Sequence, residues 1–140
     1  MPRTVIPPLV AAGARVVAFE MHPGRASELR DRFPGRHVTV VQADVRDLRL
    51  PRRPFRVVAN PPFTCTAAIL RRLLSPGSRL LSADLVVPRH VARRWADGRG
   101  TAAHRWLATF EPEFVTNLPR AAFCPAPPNP TAVLRFSRRN

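Results

Sequence analysis

Residues 55–63 read Phe55-Arg56-Val57-Val58-Ala59-Asn60-Pro61-Pro62-Phe63. The apolar run from Phe55 to Ala59 reads as a buried strand. It stops at Asn60, and the two prolines behind it forbid continuation, because proline lacks an N–H and fixes φ. What remains is a rigid turn carrying a side-chain amide and an aromatic ring at the carboxyl end of a strand. In open α/β sheets that end is where ligands sit. A carboxamide and a neighbouring backbone carbonyl can take both hydrogens of an exocyclic amino group, and the Phe63 ring can stack on the base that bears it. The plainer alternative is a strand-ending turn with a core phenylalanine.

Upstream of this turn, Val5 to Ala12 looks like the end of a helix, weakened by Pro7 and Pro8, with Gly13 as its stop. Arg15 to Glu20 reads as a strand ending in a carboxylate. Pro23 to Phe33 reads as a helix with proline near its start and Ala26, Leu29, Arg30 and Phe33 on roughly one face. A strand from His37 to Gln42 leads to Ala43-Asp44-Val45, and Arg46 to Pro54 is a loop rich in arginine and proline. Downstream, a helix from Thr66 to Leu74 offers Ala67, Leu70, Leu73 and Leu74 to the core. A strand from Ser78 to Val87 is expected to break at Pro88, followed by a basic helix over 89–97 and a short helix over 101–108. Phe114–Leu118 and Thr131–Phe136 look like a closing pair, separated by a proline-rich loop that holds Phe123.

Strands alternating with helices indicate a mostly parallel sheet with helices on its faces and an antiparallel last strand. Glu20, Asp44 and Asn60 each follow or end a strand, so these polar tips are expected to converge on one crevice.

At 140 residues the chain fits one domain with a real core. It carries 23 basic residues against 9 acidic ones, a net charge of +14, and every basic side chain is arginine. Such a charge asks for a polyanionic partner. The planar guanidinium suits phosphate and stacks on bases. The Arg46–Arg53 loop and the helix bearing Arg89, Arg93 and Arg94 are the candidates for that contact, with a solvated basic face as the alternative. Cys65 and Cys124 make neither a disulfide framework nor a metal-ligand spacing. The four histidines form no constellation, and His22 reads as a loop residue. Trp95 and Trp106 read as core. No stretch is long and apolar enough to cross a bilayer, and a cytoplasmic protein is expected.

Five blocks, in order, resemble the rRNA adenine N6-methyltransferases, in particular the Erm type that modifies one adenine of large-subunit rRNA. They are Ala12–Glu20, Val40–Asp44, Phe55–Phe63, Ala83–Arg89 and Leu118–Pro125. The resemblance implies a Rossmann-like class I S-adenosylmethionine-dependent methyltransferase fold. It also implies a 23S rRNA substrate, macrolide-lincosamide-streptogramin resistance and a monomeric enzyme. Glu20 would hold the ribose hydroxyls of S-adenosylmethionine, with Met21 beside it. Asp44 would accept from the cofactor's adenine amino group, and Val45 would pack near that ring. Asn60 and the Pro61 carbonyl would grip N6 of the target adenine, with Asn60 also touching the cofactor. Phe63 would stack on the flipped base, with Phe123 on its other face or walling the pocket, and Arg89, Arg93 and Arg94 would touch RNA.

The chain departs from that pattern in places. The family's first strand and its glycine-rich loop are absent; Gly13 belongs to a helix end instead. That strand is central in the family, so its loss is expected to leave two unpaired strand edges. A start further upstream is the expected explanation, with a degraded copy or an unusual role for Met1–Leu9 as the alternatives. The small helical C-terminal RNA-binding domain of longer members is not expected here, so residues 1–140 read as a single, incomplete catalytic domain. Pro88 replaces a usual glutamine, Asn129-Pro130-Thr131 replaces a more regular segment, and Phe63 stands for the commoner tyrosine. Two other readings stay open: a cofactor-deficient remnant that only binds RNA, and a DNA adenine N6-methyltransferase.

Overall fold

Gly13 shows how the first helix is closed. It adopts a φ of +88°, a conformation that glycine reaches without strain. The Gly13 N–H donates to the Val10 carbonyl at 2.9 Å and the Ala14 N–H to the Leu9 carbonyl at 3.0 Å, which satisfies two orphan carbonyls of the last turn. The structure, a computed structural model, describes residues 2–35, 37–98, 103–122 and 127–140. The chain divides into two compact units, Met1–Arg49 and Leu50–Asn140.

The first unit contains α1 (Pro2–Ala11), β1 (Val16–Glu20), α2 (Pro23–Arg32) and β2 (Val38–Gln42). β1 and β2 are parallel, in register from Val16 opposite Val38 to Glu20 opposite Gln42. Ile6, Ala18 and Leu29 form its buried centre, with Val10, Val16, Phe33, Val38 and Val40 packed around them. Strand side chains alternate between faces, so Val16 and Ala18 point to the helices while Val17, 53% exposed, points away. α1 stays helical through Pro7 and Pro8, although each removes a backbone donor. Ile6 and Val10, one turn apart on α1, both pack into this core, and that packing outweighs the lost hydrogen bonds.

The second unit contains β3 (Phe55–Ala59), α3 (Thr66–Leu73), β4 (Leu80–Pro88), α4 (Arg89–Ala96), α5 (Ala103–Trp106), β5 (Phe110–Leu118) and β6 (Thr131–Arg138). The sheet order is β3-β4-β6-β5. β3 and β4 are parallel, and β6 is antiparallel to both of its neighbours. β3, β4 and β5 therefore run one way and only the last strand is reversed, as expected from the sequence. Ala83, Leu85 and Val87 of β4 and Leu134 and Phe136 of β6 are fully buried on one face. Trp95 stacks on Trp106 with ring centroids 5.9 Å apart and meets Phe136 edge-on at 5.1 Å. Among the described residues β1 pairs only with β2, and β3 only with β4, so each keeps one open edge.

Several details differ from the sequence reading. Pro88 does not break β4 but is its last residue, opposite Thr131, because a strand's end can do without the missing donor. β5 begins at Phe110 rather than Phe114, and it tolerates Pro112 because it is an edge strand. Ala67 is exposed; Thr66, Ile69, Leu70 and Leu73 form the buried face of α3, the i, i+3, i+4, i+7 pattern of an amphipathic helix. Arg30 is exposed, off the buried Ala26–Leu29 face of α2. Among the described residues no helix is long and apolar enough to cross a membrane.

Candidate active-site edges

In the second unit the carboxyl ends of β3, β4 and β5 and the start of β6 share one edge of the sheet. β3 ends at Ala59, opposite Leu85, and Asn60 is the next residue, half-buried. Pro61 is buried and anchors the turn; Pro62 is exposed and its carbonyl accepts from the Cys65 N–H at 2.9 Å. A 3-10 turn, Phe63–Cys65, then runs straight into α3. The result is a short, stiff connection that leaves the Phe63 ring 39% exposed. The ring therefore faces solvent on a proline-fixed turn and is not part of the buried core.

α4 opens directly from the carboxyl end of β4, on this same edge. The Arg89 N–H donates to the Pro130 carbonyl at 2.8 Å, while its side-chain Nε is buried without a hydrogen-bond partner among the described residues. Arg93 lies with its guanidinium carbon 6.0 Å from the Phe114 ring centroid, a cation–π contact inside the unit. Arg94 is exposed. The edge thus gathers Asn60, Pro61, Phe63, Arg89 and the root of α4. Phe123, expected near the base, lies outside the described residues, as does Cys124.

In the first unit Glu20 ends β1, and Asp44 follows β2 by two residues, so the two carboxylates share the carboxyl edge of a parallel pair. Glu20 is 13% exposed at its side chain. Its Oε1 accepts from the His22 N–H at 3.4 Å and lies 3.6 Å from Arg25 Nη1. Both contacts are long, and a carboxylate has about four acceptor positions, so capacity for a diol remains. Met21 beside it is 60% exposed. His22, read from sequence as a loop residue, is the N-cap of α2: its Nδ1 accepts from the Gly24 N–H at 3.1 Å and the Arg25 N–H at 3.4 Å. Pro23 at the first helical position was the available signal, since the residue before it must be the cap.

Asp44 is more committed. It caps the 3-10 turn Val45–Asp47 by accepting from the Arg46 N–H at 2.9 Å, and it receives the Arg46 side chain through Nε and Nη2. The Arg46 side chain first, and its amide second, hold the Asp44 carboxyl down from 3.8 to about 2. Val45 is half-buried within that turn.

An α/β unit with a reversed last strand, and an Asn-Pro-Pro-Phe turn at the carboxyl end of a parallel strand, define a class I methyltransferase fold. The family model described as ribosomal RNA adenine dimethylase matches residues 8–140, and the chain belongs to that family. It is similar to mycinamicin-resistance protein MyrB of Micromonospora griseorubida, with 35% identity over 136 residues, 94% of this chain and 42% of that protein. Ribosomal RNA small subunit methyltransferase A of Synechococcus sp. (strain JA-2-3B'a(2-13)) is 33% identical over 141 residues, 94% of this chain and 50% of that one. Among solved structures, 23S rRNA methyltransferase ErmE superposes with a TM-score of 0.82 at 29% identity, covering 89% of this chain and 52% of that one. The chain spans about half the length of the relatives it matches.

Proposed function

We propose that this chain carries the transfer site of an S-adenosylmethionine-dependent rRNA adenine N6-methyltransferase. In this reading it acts as a cytoplasmic monomer on 23S rRNA, giving resistance to macrolides, lincosamides and streptogramins. The observation that carries the reading is the Asn60–Phe63 turn at the carboxyl end of β3, with its amide half-buried and its ring exposed.

S-adenosylmethionine, when bound, supplies an activated methyl group. Glu20 fits a ribose diol, because its carboxylate is sheltered, ends a strand and is only weakly engaged. Asp44 fits the adenine amino group once the exposed Arg46 side chain turns away from it. Met21 and Val45 lie next to these carboxylates in sequence and offer apolar contact. On the substrate side, the Asn60 Oδ1 and the Pro61 carbonyl accept the two N6 hydrogens of the target adenine. Those bonds draw N6 toward a tetrahedral shape and free its lone pair from the ring. Positioning then supplies much of the rate: the N–C bond would form as the sulfonium's S–CH3 bond breaks, and the proton that the now cationic N6 sheds would pass to solvent, so no strong base is required. Phe63 stacks on the extruded base, and Arg89, Arg93 and Arg94 hold the flanking phosphates.

The experiment is incorporation of labelled methyl into naked 23S rRNA by the 140-residue chain, with duplex DNA in a parallel arm. Label in N6-methyladenine of the rRNA is expected. Label in DNA alone would replace the RNA reading by a DNA one. A second reading, RNA binding without transfer, is favoured by one observation: Arg46 fills the Asp44 carboxylate. Calorimetry that finds RNA binding but no S-adenosylmethionine binding would select it.

A further inference from the structure

The sheet of the second unit has an opposite edge. Leu50–Arg52 lead toward β3, Ser75–Arg79 into β4 and Trp106–Thr109 into β5, and β6 ends there at Arg138. β4 is nine residues long, which sets the two edges on the order of 25 Å apart. On this far edge the turn Ser75–Ser78 divides two open grooves. Arg52 and Arg79 line one; Arg105 and Arg138 line the other, and no Asp or Glu lines either.

Arg138 builds the turn. It donates from Nε to the Leu80 carbonyl at 2.8 Å and from Nη2 to the Ser78 carbonyl at 2.7 Å, and its guanidinium lies 4.7 Å from the Phe110 ring centroid. All three partners are neutral, and among the described residues no acid forms an ion pair with this guanidinium. The nearby acids of β5 are engaged elsewhere: Glu111 lies 4.0 Å from Arg139, and Glu113 lies 3.9 Å from Arg135. Gly77 has a φ of +87° and no atom within 4 Å of where a Cβ would stand, so the turn is open on that side of Gly77. The whole unit is strongly basic, since Leu50–Asn140 holds fifteen of the 23 arginines and four of the nine acids. A protein partner would want apolar anchors in the centre of its contact. None of the exposed large hydrophobic side chains lines either groove. Guanidinium forks around an open polar turn suit phosphate.

We propose that this edge is a second contact for the phosphodiester backbone of RNA, remote from Asn60, made by Arg52, Arg79 and Arg105 around the turn that Arg138 holds. It rests on the RNA reading above, but not on methyl transfer. The test is fluorescence anisotropy of a 23S rRNA fragment with the 140-residue chain across a salt series, for wild type and for Arg52→Gln/Arg79→Gln/Arg105→Gln. Each phosphate contact contributes about 0.7–0.9 to the slope of log K against log salt, so the triple variant is expected to lose about two to three from the slope. Should the triple variant not fold, Arg79→Gln alone is expected to lose about 0.8. An unchanged slope in the folded variant overturns the proposal. So does displacement of the RNA by polyglutamate as readily as by unlabelled RNA, which would assign the edge to an acidic protein. A wild-type chain that binds RNA yet transfers no methyl would sink the proposed function, and the slope change would still decide this inference.

Discussion

Asp44 and Arg46, two residues apart, close on each other twice: the Arg46 amide donates to one carboxylate oxygen while the guanidinium spans both. The charged form of Asp44 is thereby favoured, and its carboxyl is lowered from 3.8 to about 2. A folded-state value below the unfolded one stabilises the turn fully above about pH 4, and that contribution is lost as pH falls toward about 2. Carboxyl NMR titration should give a midpoint near 2 for Asp44 in the wild-type chain and one moved back toward 3.8 in Arg46→Ala. Equal midpoints in the two chains would show that Arg46 does not hold the carboxylate in solution.

The same clasp sets a competition. If Asp44 takes the cofactor's amino group, the Arg46 guanidinium must give way first. Arg46→Ala is then expected to tighten S-adenosylmethionine binding several-fold, whereas Asp44→Ala should weaken it about 10- to 100-fold, the scale of a hydrogen bond to a charged group. Calorimetry reads both. Weaker binding in Arg46→Ala would mean that the arginine helps the cofactor rather than blocking it.

Asn60 is expected to be far more sensitive than Phe63. On the proposed reading, Asn60→Ala removes an acceptor for N6, and Asn60→Asp keeps an acceptor but adds a charge at the transfer site. Both should cut methyl transfer about a hundredfold or more, with RNA binding kept. Phe63→Leu should act mainly on KM, by about 1–3 kcal/mol of lost stacking, and Phe63→Tyr should be close to wild type. Transfer that survives Asn60→Ala would remove the amide from the mechanism.

Most of the fold was legible because its signals are local. The β3 stop is written in two consecutive prolines, the α1 stop in Gly13, and strand–helix alternation gives the parallel strands while the closing pair gives the reversed last one. What the sequence hid depends on partners far apart in the chain or on helix phase. Pro88 reads as a breaker until Thr131 is seen opposite it. Ala67 and Ile69 differ only in which side of α3 is buried. The clasp on Asp44 was out of sight for another reason: an arginine two residues away in a loop has no preferred direction until a 3-10 turn brings it back. The far-edge arginines come from four separate segments, and only the strand directions bring them together.

Arg135 is the middle of a row that crosses the whole second sheet. Val58, Asp84, Arg135 and Glu113 stand directly opposite one another on β3, β4, β6 and β5. Arg135 Nε donates to Asp84 Oδ1 at 2.6 Å, and its Nη1 lies 3.9 Å from Glu113 Oε2. Asp84, through its hydrogen bond and then its charge, raises the Arg135 pKa further. These side chains are partly exposed, so each pair is worth only about 0.5–1 kcal/mol at low salt. Arg135→Ala removes two pairs and leaves two carboxylates flanking an empty position, so it should destabilise more than Asp84→Ala. The gap between them in urea denaturation should shrink in high salt. A gap that does not respond to salt would point to lost packing instead.

Protection from solvent should also differ between the two sheets. β4 is flanked by β3 and β6 and carries Leu80, Ala83, Leu85 and Val87 fully buried. The β1–β2 pair has two strands, five registered residues each, and no fully buried side chain on β2. Two strands alone are marginal in water, and backbone bonds with few buried neighbours open at low free energy. Amide hydrogen exchange of the 140-residue chain should therefore be at least about a hundredfold slower in β4 and β6 than in β1 and β2, since a difference of only about 2.8 kcal/mol in opening free energy suffices. The same comparison with S-adenosylmethionine present bears on the proposed site, because Glu20 and Asp44 lie at the ends of this weaker pair. A ligand held there should slow exchange in β1 and β2 by mass action and leave β6 nearly unchanged. Equal protection of both sheets without ligand, or slowing confined to β6 with it, would contradict this account of where the chain is weakest and what it holds there.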